Sequence, residues 1–166
     1  MTIIPPHKVK SREVMPGDYD RVAKDAAEML DIMEYLVQKG VWANIAALAH
    51  AQVTDQDPLR FFVLRPAMAK ELEWTHPVII VNPMFTPQSY ATLKTEYEQC
   101  VTFPKVAKTK TLRYYKGKLK FLGENEIIED VVKGKLAQIC QHEIDHFYAR
   151  YIYGAADGIN ISTPHA

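Results

Sequence analysis

The residues best placed to do chemistry lie in Gln141-His142-Glu143-Ile144-Asp145-His146. His142 and His146 are four apart, so on a helix both imidazoles rise from one face, one turn apart. Two imidazoles so placed can share a metal ion, with Glu143 reaching a water on the ion's open side. The flanks read as helix. Gly134 precedes a run containing Leu136, Ala137, Ile139, Cys140, Ile144 and Phe147, and Gly154 offers a stop after Tyr153. The same pattern also arises in chains without a metal, where the two histidines are solvated or cap a helix. A catalytic metal of this kind takes three protein ligands and leaves one position for water. Carboxylates are plentiful as a third ligand, but Cys100 stands out within Glu98-Gln99-Cys100-Val101-Thr102-Phe103-Pro104. A thiolate with two imidazoles suits iron(II), zinc, cobalt or nickel.

These groups need a scaffold, and the rest of the chain supplies short elements. Residues 1–17 contain three prolines and read as an extended arm packed on a single domain at 18–154, with a polar, loosely held tail at 155–166. Asp18 can cap a helix running to about Lys39. That helix places Tyr19, Val22, Ala26, Met29, Leu30, Met33, Leu36 and Val37 on one face as core, with Gly40 as its exit. Asp55-Gln56-Asp57-Pro58 reads as a turn and Arg60–Leu64 as a buried strand. Residues 66–76 read as a polar connection, and Pro77–Pro83 as a strand stopped by its own proline. Thr111–Tyr115 and Lys118–Leu122 read as a hairpin across Lys116-Gly117. Ile127–Val132 makes a further strand before the histidine helix. The expectation is an α+β domain of short antiparallel strands around a central, buried helix carrying His-Glu-x-x-His.

Composition narrows the function classes. The chain has 166 residues, 48% hydrophobic and 24% charged, which suits one domain with a sizeable core. Twenty basic residues balance twenty acidic ones, so nothing argues for electrostatic capture of nucleic acid or of an anionic membrane. The longest apolar stretches fall far short of a bilayer span, and the N-terminus lacks a secretory pattern. Two cysteines, Cys100 and Cys140, are sparse usage that fits a reducing compartment better than a disulfide framework. The default is a soluble cytoplasmic protein, or an organellar one had a transit segment been removed. No reading of oligomeric state follows.

Several separated stretches resemble the peptide deformylase family. Glu98-Gln99-Cys100-Val101-Thr102 resembles its Glu-Gly-Cys-Leu-Ser motif, and Gln141–His146 its Gln-His-Glu-x-Asp-His helix. Gly134-Lys135-Leu136-Ala137 leads in as the family's Gly-Leu-Leu-Ala does. Ile45–Gln52 aligns with Gly-x-Gly-x-Ala-Ala-x-Gln, and Val78–Pro83 with the strand ending in Asn-Pro. The resemblance runs from about Tyr19 to Tyr153 in the family's order and spacing. It implies a hydrolase that removes the formyl group from the N-terminal methionine of nascent polypeptides. Cys100, His142 and His146 would hold one divalent metal, natively iron(II), with zinc, nickel or cobalt as substitutes. Glu143 would move the proton, and Gln52 with the backbone N–H of Val101 would donate to the developing oxyanion. Ala46, Ala47, Glu98, Gln99, Gln138 and Ile139 would line the substrate site. Asp145 would orient an imidazole or a backbone group, or else be a solvated helix carboxylate. The implied partner is an N-formylated nascent peptide, with the ribosome a candidate.

The departures from the family bear on substrate choice. Ile45 and Ala47 replace glycines whose backbone freedom a side chain obstructs. His50 replaces a small residue, as a buried hydrogen-bonded histidine or as a new polar group in the site. Gln99 replaces a glycine beside the cysteine. Gln138 and Lys135 stand at apolar positions, and a buried glutamine needs partners and is less friendly to a thioether. Ala107 and Leu112 stand where arginines are expected, with Lys108 and Arg113 one step along, a shift that turns a strand side chain to the other face. A hydrolase with altered substrate choice follows. Its rivals are a deformylase-like protein without turnover that binds chain ends or a ribosomal partner, a zinc peptidase with another third ligand, and a closed structural metal site.

Overall fold

The computed structural model describes residues 1–88, 93–103, 109–152 and 159–161. Its helices are α1 (Tyr19–Gln38), α2 (Pro66–Glu71) and α3 (Lys135–Phe147). In chain order its strands are β1 (Ala47–Ala49), β2 (Phe61–Leu64), β3 (Ile79–Pro87), β4 (Leu93–Glu98), β5 (Thr109–Tyr114), β6 (Lys116–Leu122), β7 (Ile127–Lys133) and β8 (Ile159–Ile161). One sheet runs β1-β2-β3-β6-β7 and a smaller one β4-β5-β8; every pairing is antiparallel except β5 with β8.

The larger sheet is covered on both faces, and β2 records this in its sequence. Phe61 and Val63 turn toward α1, where Val22, Ala26, Met29 and Met33 are buried. Phe62 and Leu64 turn the other way and share a core with Ala137, Cys140, Ile144 and Phe147 of α3. A strand buried on both faces reads as an unbroken apolar run rather than an alternation. Each fully buried methionine of α1 contributes about 2 kcal/mol of transfer free energy. Helix α3 also contacts β5 of the smaller sheet, so it lies buried between the two sheets. The N-terminal arm ties this assembly together. Ile4 N–H donates to the Gln52 carbonyl, His7 Nε2 pairs with the Ala51 carbonyl, and Ser11 N–H donates to the Phe147 carbonyl at the end of α3.

Several sequence expectations are corrected. Asp18 does not cap α1 with its side chain; its carboxylate accepts from Met15 N–H and from the Arg12 guanidinium instead. Tyr19, placed on the buried stripe, is 47% exposed at the helix's first turn. The connection after Arg65 contains α2. Pro66 starts that helix, where a missing N–H costs nothing, and Ala67-Met68-Ala69-Lys70-Glu71 are good helix formers.

Strand β3 does not stop at Pro83. Its register against β6 gains one residue between Val81 and Met84, and this bulge accommodates a residue with no N–H to give the ladder. Within the bulge Asn82 takes φ +48° and exchanges two hydrogen bonds with the Val14 backbone, fixing the arm. The expected hairpin across Lys116-Gly117 is absent. Its two strands exist but part into different sheets, β5 pairing with β4 and β6 with β3 and β7. Gly117 is needed for close approach: a Cβ there would lie 2.4 Å from Phe85 Cζ and 2.7 Å from the Thr86 carbonyl oxygen. Within the segment read as a loose tail, Ile159–Ile161 pair with β5. The remaining tail, Ala107 and Lys108 lie outside the described residues.

Candidate metal centre

Helix α3 is preceded by Gly134, whose φ of +60° is strained for any side chain and whose N–H donates to the Tyr115 carbonyl at 2.7 Å. It ends at Phe147, well short of the expected Tyr153. Ala149 turns left-handed at φ +55°, and Tyr148, Ala149 and Arg150 N–H groups close back on the Asp145 and His146 carbonyls. The early stop brings the Arg150 carbonyl to 3.0 Å from His146 Nδ1 and the Tyr151 ring to 4.9 Å from the His146 ring. The helix is buried from Ala137 to Phe147, so its polar side chains are held inside the protein.

One ligand atom from each of Cys100, His142 and His146 lies within 4.8 Å of the other two. Cys100 follows β4 in a turn closed by Phe103 N–H donating to the Cys100 carbonyl, and its Sγ is 3.6 Å from His146 Nε2. Both tautomers follow from their partners. A carbonyl and a carboxylate can only accept, so His146 Nδ1–H donates to Arg150 O, and His142 Nδ1–H to Glu98 Oε1 at 2.7 Å. Each Nε2 lone pair is left for a metal, the arrangement in which outer partners orient metal-ligating imidazoles. Burial disfavours ionisation of the Cys100 thiol, but the two imidazoles outweigh it and hold its pKa well below the usual thiol value. A soft sulfur and two imidazoles, all pre-aligned, fit a divalent transition metal.

Beneath His142 lies a buried ionic network. Glu98 accepts from Thr111 Oγ1 at 2.6 Å and from Arg113 Nε and Nη2 at 2.7 Å, and Arg113 Nη1 donates to Asp145 Oδ2 at 2.6 Å. Burial pushes the Glu98 carboxyl up, but Arg113 and His142 outweigh this and keep it ionised. Glu98, read from the resemblance as lining the substrate site, does border the cavity, with Oε1 held by His142 and Arg113 and Oε2 by Thr111, Arg113 and Gln138. Asp145 is buried and paired, and acts on that imidazole through Arg113 and Glu98. Arg113, expected on the far face of its strand, is 2% exposed and turned toward α3 together with Thr111. Two buried carboxylates set the phase of β5. The only trace of this in the sequence is Asp145, a buried-helix acid with no local partner.

Gln52 lies beside the sulfur. Its Oε1 accepts from Ala49 N–H at 2.9 Å, and its Nε2 donates to Thr102 Oγ1 at 3.1 Å and to Cys100 Sγ at 3.4 Å. Glu143 is buried, its Oε2 has no hydrogen-bond partner among the described residues, and burial raises its pKa. His50 is fully buried, stacked on Phe61 with ring centroids 4.6 Å apart. Its Nδ1 accepts from Leu59 N–H and its Nε2 donates to Asp25, so it is a structural histidine that does not border the cavity. Ile45 and Ala47 take no left-handed backbone, and the Ile45 side chain packs into the α1 core.

The centre opens on a cavity of about 670 Å³. Gln52, Cys100, Val101, His142 and Glu143 border it at the chemical end. The β1 segment contributes Ala46 and Ala47, the turn after β4 contributes Gln99, and α2 contributes Met68 and Glu71. Along α3 come Ile139, Gln138 and Lys135, the last two one and two turns before His142. Cys100 and Cys140 are both free thiols, and no described helix is long and apolar enough to cross a membrane.

An α+β fold whose interior helix presents two imidazoles to a thiol, beside a buried carboxyl and a cavity, defines a candidate metal centre. The sequence model of polypeptide deformylases matches residues 5–160, and the chain belongs to that family. Family members use a divalent metal and act on formylated nascent peptides. The fold is similar to that of peptide deformylase from Thermotoga maritima, at 21% identity and TM-score 0.67 over 90% of this chain and 93% of that one. It is also similar to a Plasmodium falciparum peptide deformylase, at 23% and 0.70 over 90% and 82% of the two chains. One from Legionella pneumophila aligns at 24% and 0.67 over 90% and 80%. No curated protein sequence is similar enough to match.

Proposed function

We propose that this protein is a metal-dependent amide hydrolase that removes the N-formyl group from the first residue of newly made polypeptides. The observation that carries the reading is the meeting of Cys100, His142 and His146, from two distant segments, at the end of a cavity bordered by Cys100, His142 and Glu143, whose Oε2 has no partner among the described residues. A divalent ion on these three ligands, natively iron(II), would supply Lewis acidity and an open coordination position. Glu143, its pKa raised by burial, takes a proton from the attacking water and passes it to the leaving amine. Water's oxygen bonds to the formyl carbon, the C–N bond breaks, and formate and a free N-terminus leave. Gln52 Nε2 and Val101 N–H are the proposed donors to the oxyanion; the Gln52 amide is already oriented by Ala49. Ala46, Ala47, Gln99 and Ile139 are proposed to line the path of the peptide.

The test is formate release from formyl-peptides by iron(II)- or cobalt-loaded protein. Glu143→Gln should cut turnover by about 10²–10⁴-fold with metal content unchanged. Cys100→Ala should lose the metal. A Cys100→Ala protein that keeps its ion would sink this ligand set, and metal-loaded wild-type protein without turnover would leave a chain-end binding role. Loss of the iron form in air, spared by cobalt, would support iron as the oxidisable partner.

A further inference from the structure

Gln52, the proposed oxyanion donor, ends a single helical turn, His50–Gln52. The last carbonyls of such a turn have no partner within it. The His50 carbonyl accepts from the Val53 and Thr54 N–H groups that follow directly. The other two are met from the N-terminal arm, more than forty residues away in the chain. Val9 N–H donates to His7 Nδ1 at 3.1 Å, so the proton of this half-buried ring is on Nε2. His7 Nε2–H donates to the Ala51 carbonyl at 2.8 Å, and Ile4 N–H to the Gln52 carbonyl at 2.9 Å.

The side chain of Gln52 gives these bonds their use. Its Nε2 carries two hydrogens, directed at Thr102 Oγ1 and Cys100 Sγ. Donating to an oxyanion takes one of them away. At that moment the amide is located by Oε1, on Ala49 N–H, and by its own main chain, which the arm holds. The His7 ring also faces the edge of Tyr151, centroids 6.5 Å apart. Tyr151 packs in turn on His146 at 4.9 Å and on Phe103, in the turn after Cys100, at 5.9 Å. We infer that His7 is a positioning residue, pinning the Ala51-Gln52 main chain so that the Gln52 amide stays in place when it turns from Thr102 and Cys100 to the oxyanion. Its catalytic consequence rests on the hydrolase reading above; the pinning does not.

Formate release from formyl-Met-Ala-Ser by cobalt-loaded protein separates positioning from mere support of the fold. His7→Phe keeps a ring and deletes the donor, so kcat should fall by about 10–100-fold, part of what losing an oxyanion donor costs, with KM within about threefold of wild type and metal content unchanged. His7→Gln, whose Nε2 can donate to the Ala51 carbonyl, should recover most of the loss. Ile4→Pro, which removes the other donor, should repeat the pattern of His7→Phe. Added to Gln52→Leu, His7→Phe should cost nothing further, because its effect runs through an amide no longer there. An equal loss with and without Gln52, no recovery in His7→Gln, or wild-type kcat in both His7→Phe and Ile4→Pro overturns the inference. The pinning is also read without turnover, from the Gln52 side-chain amide in NMR spectra of zinc-loaded protein, identified by its absence in Gln52→Leu. Its resonances should move in His7→Phe and return in His7→Gln. That shift in a protein whose wild type releases no formate overturns the hydrolase reading while the pinning stands. Full turnover with unmoved resonances in His7→Phe overturns the inference alone.

Discussion

His142 and His146 each give Nδ1–H to an acceptor, which orients both rings and reserves each Nε2 for a metal. The arrangement depends on residues far from the histidine motif: Glu98 fixes one ring and the Arg150 carbonyl the other. Glu98 in turn stays ionised in the interior because Arg113 grips it with two nitrogens while its third reaches Asp145. Removing one member of such a network strands the others as buried charges. Arg113→Leu should therefore destabilise the protein by about 3–5 kcal/mol, read as a lower urea midpoint. It should also weaken metal affinity by about 10–100-fold, measured with a competing chelator. A variant as stable as wild type would mean that the guanidinium holds nothing in place. None of this was readable locally. Asp145 could be named as a residue in search of a partner, but the partner lies 32 positions away.

Among the elements, α3, α1, β2 and β7 were legible because each carries its own period or a doubly buried apolar run. The errors fell where punctuation residues have two physical uses. Lys116-Gly117 has the composition of a tight turn, yet Gly117 sits at the start of β6, pressed against Phe85 and the Thr86 backbone. Gly117→Ala should destabilise by about 1–3 kcal/mol, since the backbone of β3 cannot yield as a flexible side chain would. Equal thermal midpoints for the variant and wild type would show that the strands can separate at little cost. Pro83 likewise has the look of a terminator but marks a bulge, because β6 and Asn82 supply the pairing that its missing N–H forgoes. The end of α3 followed the same rule. Gly154 offered a stop, while the Arg150 carbonyl required one earlier.

For the molecule as a whole, His50 makes stability depend on pH. Burial lowers its pKa to about 4, the Asp25 carboxylate offsetting only part of that, and the Leu59 N–H aimed at Nδ1 leaves no room for a second proton. The unfolded chain takes up a proton near the ordinary value of 6.5 and the folded one only near 4, so the unfolded state binds more protons between them. This contribution is complete above pH 6.5 and is lost as pH falls through the window, by about 2 kcal/mol between pH 7 and pH 5. Urea unfolding at the two values should show that slope in wild-type protein and a shallower one in His50→Gln; identical slopes would clear His50 of the effect. Stripping the metal with a chelator should lower the thermal midpoint as well, because an ion held by three ligands of the fold binds the folded state preferentially.

What the sequence determined by itself was local or repetitive: two imidazoles one turn apart, a carboxyl between them, apolar stripes and a cysteine in a recognisable loop. Backbone geometry fixes such relations over a few residues, so spacing alone suffices to read them. The tertiary structure decided what depends on closing long loops and burying charge. It brought Cys100 to the helix, parted β5 from β6, and paired Arg113 with two acids. Those contacts are selected by the cost of leaving a buried polar group unmet, a cost that exists only once the chain has enclosed it.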